Sequence, residues 1–163
     1  MFPEPIEQLA KAVVDAAVTR SLMVATAESC TGGLVAGALT AIAGSSAALD
    51  RGFVTYSNDA KMEMLGVGAA TLAAHGAVSQ ATALAMATCA VTRSRASVAV
   101  AITGVAGPGG GSPDKPVGLV HFATAGPNGE RHQEERFGDI GREAVRLASV
   151  EVALSMLLDQ LRA

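Results

Sequence analysis

Residues 96–103 have the sequence ASVAVAIT and run directly into GVAGPGGGSP at residues 104–113. The first stretch is short, apolar and rich in β-branched residues, which is typical of a buried β-strand. The second contains too many glycines and prolines for a regular element. Together they predict a central strand whose carboxyl end carries an irregular, glycine-rich loop.

Helices and strands are predicted to alternate on both sides of this strand. Apolar residues recur at helical spacing in some segments, whereas short apolar or alternating runs mark others as strands. We predict helices at 4–20, 34–43, 66–76, 79–92 and 140–161, and strands at 22–27, 50–57, 117–125 and 131–137. A further short helix carries Lys61, and Asn58, Ser79 and Asp139 are the predicted N-caps. This order predicts an α/β fold, a three-layer α/β/α sandwich with a mixed, mostly buried sheet, and the length fits a single domain over residues 1–163.

The composition excludes several classes of protein. Half of the residues are hydrophobic and 17% are charged, which argues against disorder. A net charge of −3 with only 3% aromatic residues argues against a nucleic-acid partner. No apolar run is long enough for a bilayer and the N-terminus is unlike a signal peptide, so a cytoplasmic protein with no membrane association is expected. The two cysteines and three histidines lack metal-ligand spacing, so no metal site is expected.

Three loops follow predicted strands, where sites gather in α/β sheets: residues 28–33, 56–61 and 103–116. The first places Ser29 and Cys30 at a strand-to-helix turn, where backbone amides can stabilise an oxyanion. An ordinary capped helix start explains the serine equally well. Cys30 is a rival nucleophile, but no histidine in these loops could activate it.

The second loop offers a base for a serine nucleophile. Lysines are ordinarily solvated surface charges, and that remains the simpler interpretation of Lys61. A lysine desolvated enough to be neutral can, however, take the proton of a serine. The chain has no triad-like pairing of histidine and aspartate, so a serine nucleophile would need another base, such as this lysine.

The third loop is not a nucleotide-binding fingerprint, because no Lys-Ser or Lys-Thr follows its glycines. Its backbone could still approach a ligand closely, with the Thr103 hydroxyl as a donor, or it could be a flexible connection between strands. Arg142, in the first turn of the last helix, could clamp an anion or pair with Asp139 or Glu143.

Five motifs occur in order along the chain: AESCTGG at 27–33, GSS at 44–46, RGFVTYSN at 51–58 with AK at 60–61, HGAVS at 75–79, and TGVAGP at 103–108 with KPVG at 115–118. In these motifs the chain resembles the CinA C-terminal domain family, which includes stand-alone bacterial nicotinamide-nucleotide amidases. The resemblance extends over about residues 6–161. A co-linear set of motifs is far more specific than any one glycine-rich loop.

The resemblance implies deamidation of nicotinamide mononucleotide to nicotinate mononucleotide and ammonia in pyridine-nucleotide salvage, without a metal or organic cofactor, by a homodimer. It implies Ser29 as nucleophile, Lys61 as its base and Tyr56 as an assisting residue. In the mechanism that we hypothesise from these roles, amides where the helix after Gly32 and Gly33 begins hold the developing oxyanion. The residues expected to bind substrate are Cys30, Thr31, Gly32, Gly33, Ser46, Thr103, Gly104 and Arg142. The family's GDR motif is interrupted here as GDIGR at 138–142, so either Arg142 or Arg146 is expected to contact phosphate.

Two other hypotheses remain open from the sequence. The chain could be a non-catalytic nucleotide-binding module with an accessory role, as in family members associated by name with competence and DNA damage. It could also be a hydrolase that depends on Cys30. A serine and a lysine within hydrogen-bond reach would argue against the first, and full activity of Cys30→Ala against the second.

Overall fold

A computed structural model describes residues 1–163, which form five strands and six helices. The strands are β1 (Val24–Glu28), β2 (Leu49–Val54), β3 (Val98–Gly104), β4 (Leu119–Ala125) and β5 (Arg131–Arg136). The helices are α1 (Glu4–Arg20), α2 (Leu34–Thr40), α3 (Asn58–Ala60), α4 (Ala69–His75), α5 (Gln80–Thr92) and α6 (Arg142–Arg162). A 3-10 turn, Ser45–Ala47, precedes β2, and α3 continues into a π-helical turn, Lys61–Leu65.

The strands form one mixed sheet in the order β2-β1-β3-β4-β5. β1 pairs in parallel with both β2 and β3, whereas β4 is antiparallel to β3 and β5. The predicted α/β fold with a mixed sheet and a terminal hairpin is confirmed. Because β1, β2 and β3 are parallel, the loops that follow them leave the sheet at the same edge.

Helices pack on both faces of the sheet. One face carries α1, α2 and α6 on a core that includes Val24, Val100 and Phe122. The other face carries α4 and α5 on a core in which small residues predominate, such as Ala99 and Ala123. Alanines in β1, β3, β4 and α5 therefore let α5 approach these strands closely, which accounts for the alanine-rich composition.

The structure corrects two of the three predicted helix caps. Ser79 does cap α5, since its Oγ accepts a hydrogen bond of 3.1 Å from the amide three residues on. At α3 the cap is Ser57 rather than Asn58, because the extended backbone of Ser57 lets its Oγ accept from the third following amide at 3.0 Å. At α6 the cap is Gly141 rather than Asp139, without any side-chain hydrogen bond, so the helix begins two residues later than predicted.

Candidate active site

A cavity of about 290 Å³ opens at the carboxyl ends of β1 and β3. It brings together residues from all three loops that the sequence analysis singled out and from the start of α6. The predicted site residues that line it are Ser29, Cys30, Tyr56, Lys61, Thr103, Gly104 and Arg142. Ala77, Val78, the segment 105–107, Gly109 and Gly110 complete its wall.

A serine and a lysine meet inside this cavity. Lys61 Nζ lies 3.0 Å from the Oγ of Ser29 and donates to the Thr55 carbonyl at 2.8 Å. Lys61 is 1% exposed, the largest fully buried side chain of the chain. No carboxylate lies within ion-pair distance of its Nζ. Burial lowers the pKa of Lys61 from its ordinary value because desolvation disfavours the charged ammonium, and the neighbouring Cys30 acts in the opposite direction.

The helix that carries Lys61 is built to turn its side chain inward. Ser57 caps the first turn, and the Lys61 amide donates to the Ser57 carbonyl at 3.1 Å. The backbone then widens into the π-helical turn, which closes with a bond of 3.1 Å from the Val67 amide to the Lys61 carbonyl. Such π-helical turns occur frequently at functional sites.

Ser29 sits on a tight turn between β1 and α2. Gly32 and Gly33 have φ angles of +59° and +100°, a conformation that other residues rarely adopt. Thr31 is buried behind the cavity, and none of these three residues lines it. They shape the turn that presents Ser29, and their contact with substrate stays a prediction.

The amides at the start of α2 are already occupied. The amides of Val35 and Ala36 donate to the carboxylate of Glu28 at 2.9 and 3.0 Å. The prediction that this helix start holds an oxyanion is therefore wrong for these donors, because they point at an internal carboxylate. Cys30, next to Ser29, lines the cavity, and its backbone amide makes no hydrogen bond to another backbone group.

Cys30 is placed beside Ser29 but is not activated. Burial raises the pKa of its thiol to about 12, with smaller opposing effects from its own backbone amide, Lys61 and Arg146. A thiol with this pKa stays protonated near neutral pH and is a poor nucleophile. The structure therefore argues against a cysteine-dependent hydrolase.

The two candidate arginines occupy different places. Arg142 lines the cavity, where Nη2 donates to the Tyr56 hydroxyl at 2.9 Å and Nη1 to the Gly107 carbonyl at 2.8 Å. It forms no ion pair with an acidic neighbour. Arg146 lies one helical turn after Arg142 in α6. It packs behind the loop that carries Ser29 and donates to the carbonyls of Cys30 and Thr31, each at 3.1 Å.

The glycine-rich loop after β3 is anchored. Thr103 Oγ1 donates to the Ala77 carbonyl at 2.8 Å, and Lys115 Nζ donates to the His75 carbonyl at 2.7 Å. At Gly104 a Cβ atom would come within 2.7 Å of the β4 backbone, so only glycine fits there. These contacts favour the shaped-loop interpretation over a flexible connection.

Ser46, a predicted substrate-binding residue, does not line the cavity. It is exposed in the 3-10 turn before β2, and the start of β2 pairs with Val24 at the start of β1. It therefore lies at the opposite edge of the sheet from Ser29.

Some contributors were not predicted from the sequence. The carbonyls of Thr55 and Ala77 hold Lys61 and Thr103, and no side-chain pattern marks a backbone acceptor. The sequence motifs assign no role to Glu28, although an acidic residue at the end of an apolar strand is a usable signal. No group of three or more metal-ligating side chains is arranged to hold an ion, and none of the helices has the length and apolar character needed to cross a bilayer.

Comparison with known proteins gives concordant results. The sequence profile of the CinA C-terminal domain matches residues 6–161. The nicotinamide-nucleotide amidohydrolase PncC of Escherichia coli K12 is 49% identical over 160 residues, which cover 98% of this chain and 97% of that protein. A CinA-like protein of Anaeromyxobacter dehalogenans is 48% identical over 163 residues, but these make up 40% of its length.

Solved structures share the fold over its full extent. The competence/damage inducible protein CihA from Agrobacterium tumefaciens has a TM-score of 0.97 and 62% identity, covering 100% of this chain and 99% of that one. A CinA superfamily protein from Klebsiella pneumoniae has a TM-score of 0.91 and 41% identity, covering 96% and 98% of the two chains.

Proposed function

The chain belongs to the CinA C-terminal domain family, and from this we propose that it hydrolyses the carboxamide of nicotinamide mononucleotide to give nicotinate mononucleotide and ammonia. The observation that carries the proposal is the 3.0 Å approach of Lys61 Nζ to Ser29 Oγ inside a cavity. Similarity to E. coli PncC over nearly the whole of both chains supports the same substrate class.

The proposed reaction uses Ser29 and Lys61 as a dyad. Neutral Lys61 takes the Ser29 proton as Oγ attacks the carboxamide carbon, which forms a tetrahedral intermediate. Protonated Lys61 returns the proton to the nitrogen, which leaves as ammonia, and an ester remains on Ser29. Water, deprotonated by Lys61, then hydrolyses the ester and restores the serine. The net change is addition of one water and release of one ammonia.

The other residues of the cavity supply binding and charge stabilisation in this proposal. The Cys30 amide, which makes no hydrogen bond to another backbone group, is the proposed donor to the developing oxyanion. Arg142 and Tyr56, already hydrogen-bonded to each other, offer a cation and a hydroxyl for the nucleotide phosphate at the cavity mouth. The product would then enter pyridine-nucleotide salvage.

A non-catalytic nucleotide-binding module is the second candidate. The observation that favours it is the longer CinA-like relative, in which the matching part is accompanied by further chain. A buried lysine without an acidic partner weighs against it, because pure binding gives no reason to desolvate that amine next to a serine.

The test is ammonia release from nicotinamide mononucleotide without added metal. We expect Ser29→Ala and Lys61→Ala to lose about 10³-fold or more in kcat, since each removes a group that acts only in the reaction. Ser155→Ala and Lys11→Ala are matched controls, because both side chains are exposed outside the cavity. Circular dichroism checks the fold of each variant.

Each alternative has its own outcome in this assay. An inert wild type that still binds the nucleotide in calorimetry supports the binding module. Activity that survives Ser29→Ala but is lost in Cys30→Ala supports the cysteine-dependent hydrolase.

A further inference from the structure

Glu28 is the last residue of β1 and directly precedes Ser29 in the chain. Its side chain is 0% exposed, and no cation lies within ion-pair distance. Its carboxylate instead accepts hydrogen bonds from the amides of Val35 and Ala36 and, at 3.1 Å, from Thr26 Oγ1. A carboxylate buried without a cation is expensive, so this arrangement is not a default packing solution.

The side chain of Glu28 acts on the serine turn from the opposite face of the sheet. Successive side chains of a strand point to opposite faces, so Glu28 lies on the α2 face while Ser29 points toward the cavity. By holding the first amides of α2, the carboxylate ties that helix to the end of β1. The two ends of the turn that carries Ser29 are thereby fixed relative to each other.

The backbone of Glu28 is linked through Thr55 to Lys61. Its carbonyl accepts a bond of 2.9 Å from the Thr55 amide. The carbonyl of Thr55 in turn accepts the 2.8 Å hydrogen bond from Lys61 Nζ. One residue is therefore linked through its side chain to the turn of Ser29 and through its main chain to the acceptor that orients Lys61.

We propose that Glu28 is a positioning residue that sets the separation between Ser29 Oγ and Lys61 Nζ. It touches neither the cavity nor the reacting atoms and acts through the turn and through Thr55. The inference rests on the proposed function for its kinetic consequence, but its geometric consequence can be measured independently.

The test compares Glu28→Gln with the control Thr26→Val. Glutamine keeps the length of the side chain, but its NH₂ group cannot accept from an amide, so one helix-start bond is lost. Valine has nearly the shape of threonine and removes only the hydroxyl bond to the carboxylate, leaving both amides bound. The measurements are kcat and KM for ammonia release well below the unfolding temperature, and a crystal structure of each variant.

For Glu28→Gln we expect kcat to fall by about 10²-fold with KM nearly unchanged, because a small displacement of the reacting groups affects the chemical step. We expect the Ser29 Oγ to Lys61 Nζ distance to open beyond roughly 3.5 Å, outside hydrogen-bond range. Thr26→Val should keep the wild-type kcat and the wild-type distance between Ser29 Oγ and Lys61 Nζ. A purely structural role would lower the unfolding temperature and leave kcat of the folded enzyme intact, which would overturn the proposal.

Two further outcomes are decisive. If Glu28→Gln does not fold, Glu28→Asp keeps the charge but withdraws it by one methylene, and a folded Glu28→Asp with wild-type kcat would overturn the proposal. If the wild type is inert on nicotinamide mononucleotide, the proposed function fails. The Oγ to Nζ distance in the variant crystals still decides the role of Glu28, and a distance kept near 3.0 Å overturns it.

Discussion

Replacing Lys61 by Met should change how the stability of the protein depends on pH. Burial holds the pKa of Lys61 below its ordinary value of 10.5 in the folded state. Between the lowered pKa and 10.5 the unfolded chain keeps a proton that the folded chain has released. The free energy of unfolding of the wild type therefore rises with pH across this window. Methionine fills a similar space but does not titrate, so its variant lacks this contribution.

The size of the effect follows from one proton. A difference of one bound proton changes the free energy of unfolding by at most about 1.4 kcal/mol per pH unit. Below the lowered pKa, Lys61 is charged in both states and the wild type bears the full cost of burying that charge. The stability of Lys61→Met relative to wild type should thus be greatest at low pH and decline as pH rises toward 10.5.

The assay is urea unfolding followed by circular dichroism, in steps from about pH 6 to about pH 10, so that the titration window is sampled. Both proteins carry Cys30→Ala, because the raised pKa of Cys30 makes its folded thiol keep a proton that the unfolded chain loses near pH 9.0, which would lower stability there. A difference between the two proteins that stays constant over the whole range would refute the reasoning, since Lys61 would then titrate as an ordinary lysine.

Other substitutions test the rest of the site. Cys30→Ala should keep at least about half of wild-type kcat, because the protonated thiol takes no part in the reaction; a loss beyond tenfold in steady-state kinetics would contradict this. Arg142→Met should raise KM about tenfold or more with kcat less affected, as expected for loss of a charge-assisted contact to phosphate, and an unchanged KM would exclude that contact. Arg146→Met should lower the free energy of unfolding by about 1–3 kcal/mol in urea titrations, because two turn carbonyls lose their donor. Gly104→Ala should destabilise the fold, since its Cβ would lie 2.7 Å from the β4 backbone, whereas the control Gly109→Ala meets no atom within 4 Å and should leave the urea midpoint unchanged.

Much of the fold could be predicted because local signals agreed with the tertiary arrangement. The apolar run at 96–103 became β3, and the alternation of elements correctly indicated helices on both faces of a mixed sheet. Helix ends were harder to predict. Ser57 and Asn58 are both good N-cap residues, and only the backbone conformation at each position decides which of them caps α3.

The candidate site was predictable in its location and uncertain in its details. Parallel strands bring their following loops to one edge, so Ser29, Tyr56 and Thr103 could be expected to lie near one another. Arg142 and Arg146 are one helical turn apart, and their spacing does not tell which of them faces the cavity. That choice follows from the start of α6 after Gly141, which places Arg142 at the cavity and Arg146 against the serine turn.

The sequence by itself determined which chemical groups the protein carries and at which ends of which strands they lie. A serine on a glycine-containing turn and a lysine on a short capped helix are local features that the chain encodes directly. Only the tertiary structure decided that Nζ and Oγ approach to 3.0 Å and that the lysine is buried away from any carboxylate. The lowered pKa of Lys61, which its proposed role as a base requires, depends on those two facts, because desolvation and the absence of a counter-charge arise only when distant segments pack together.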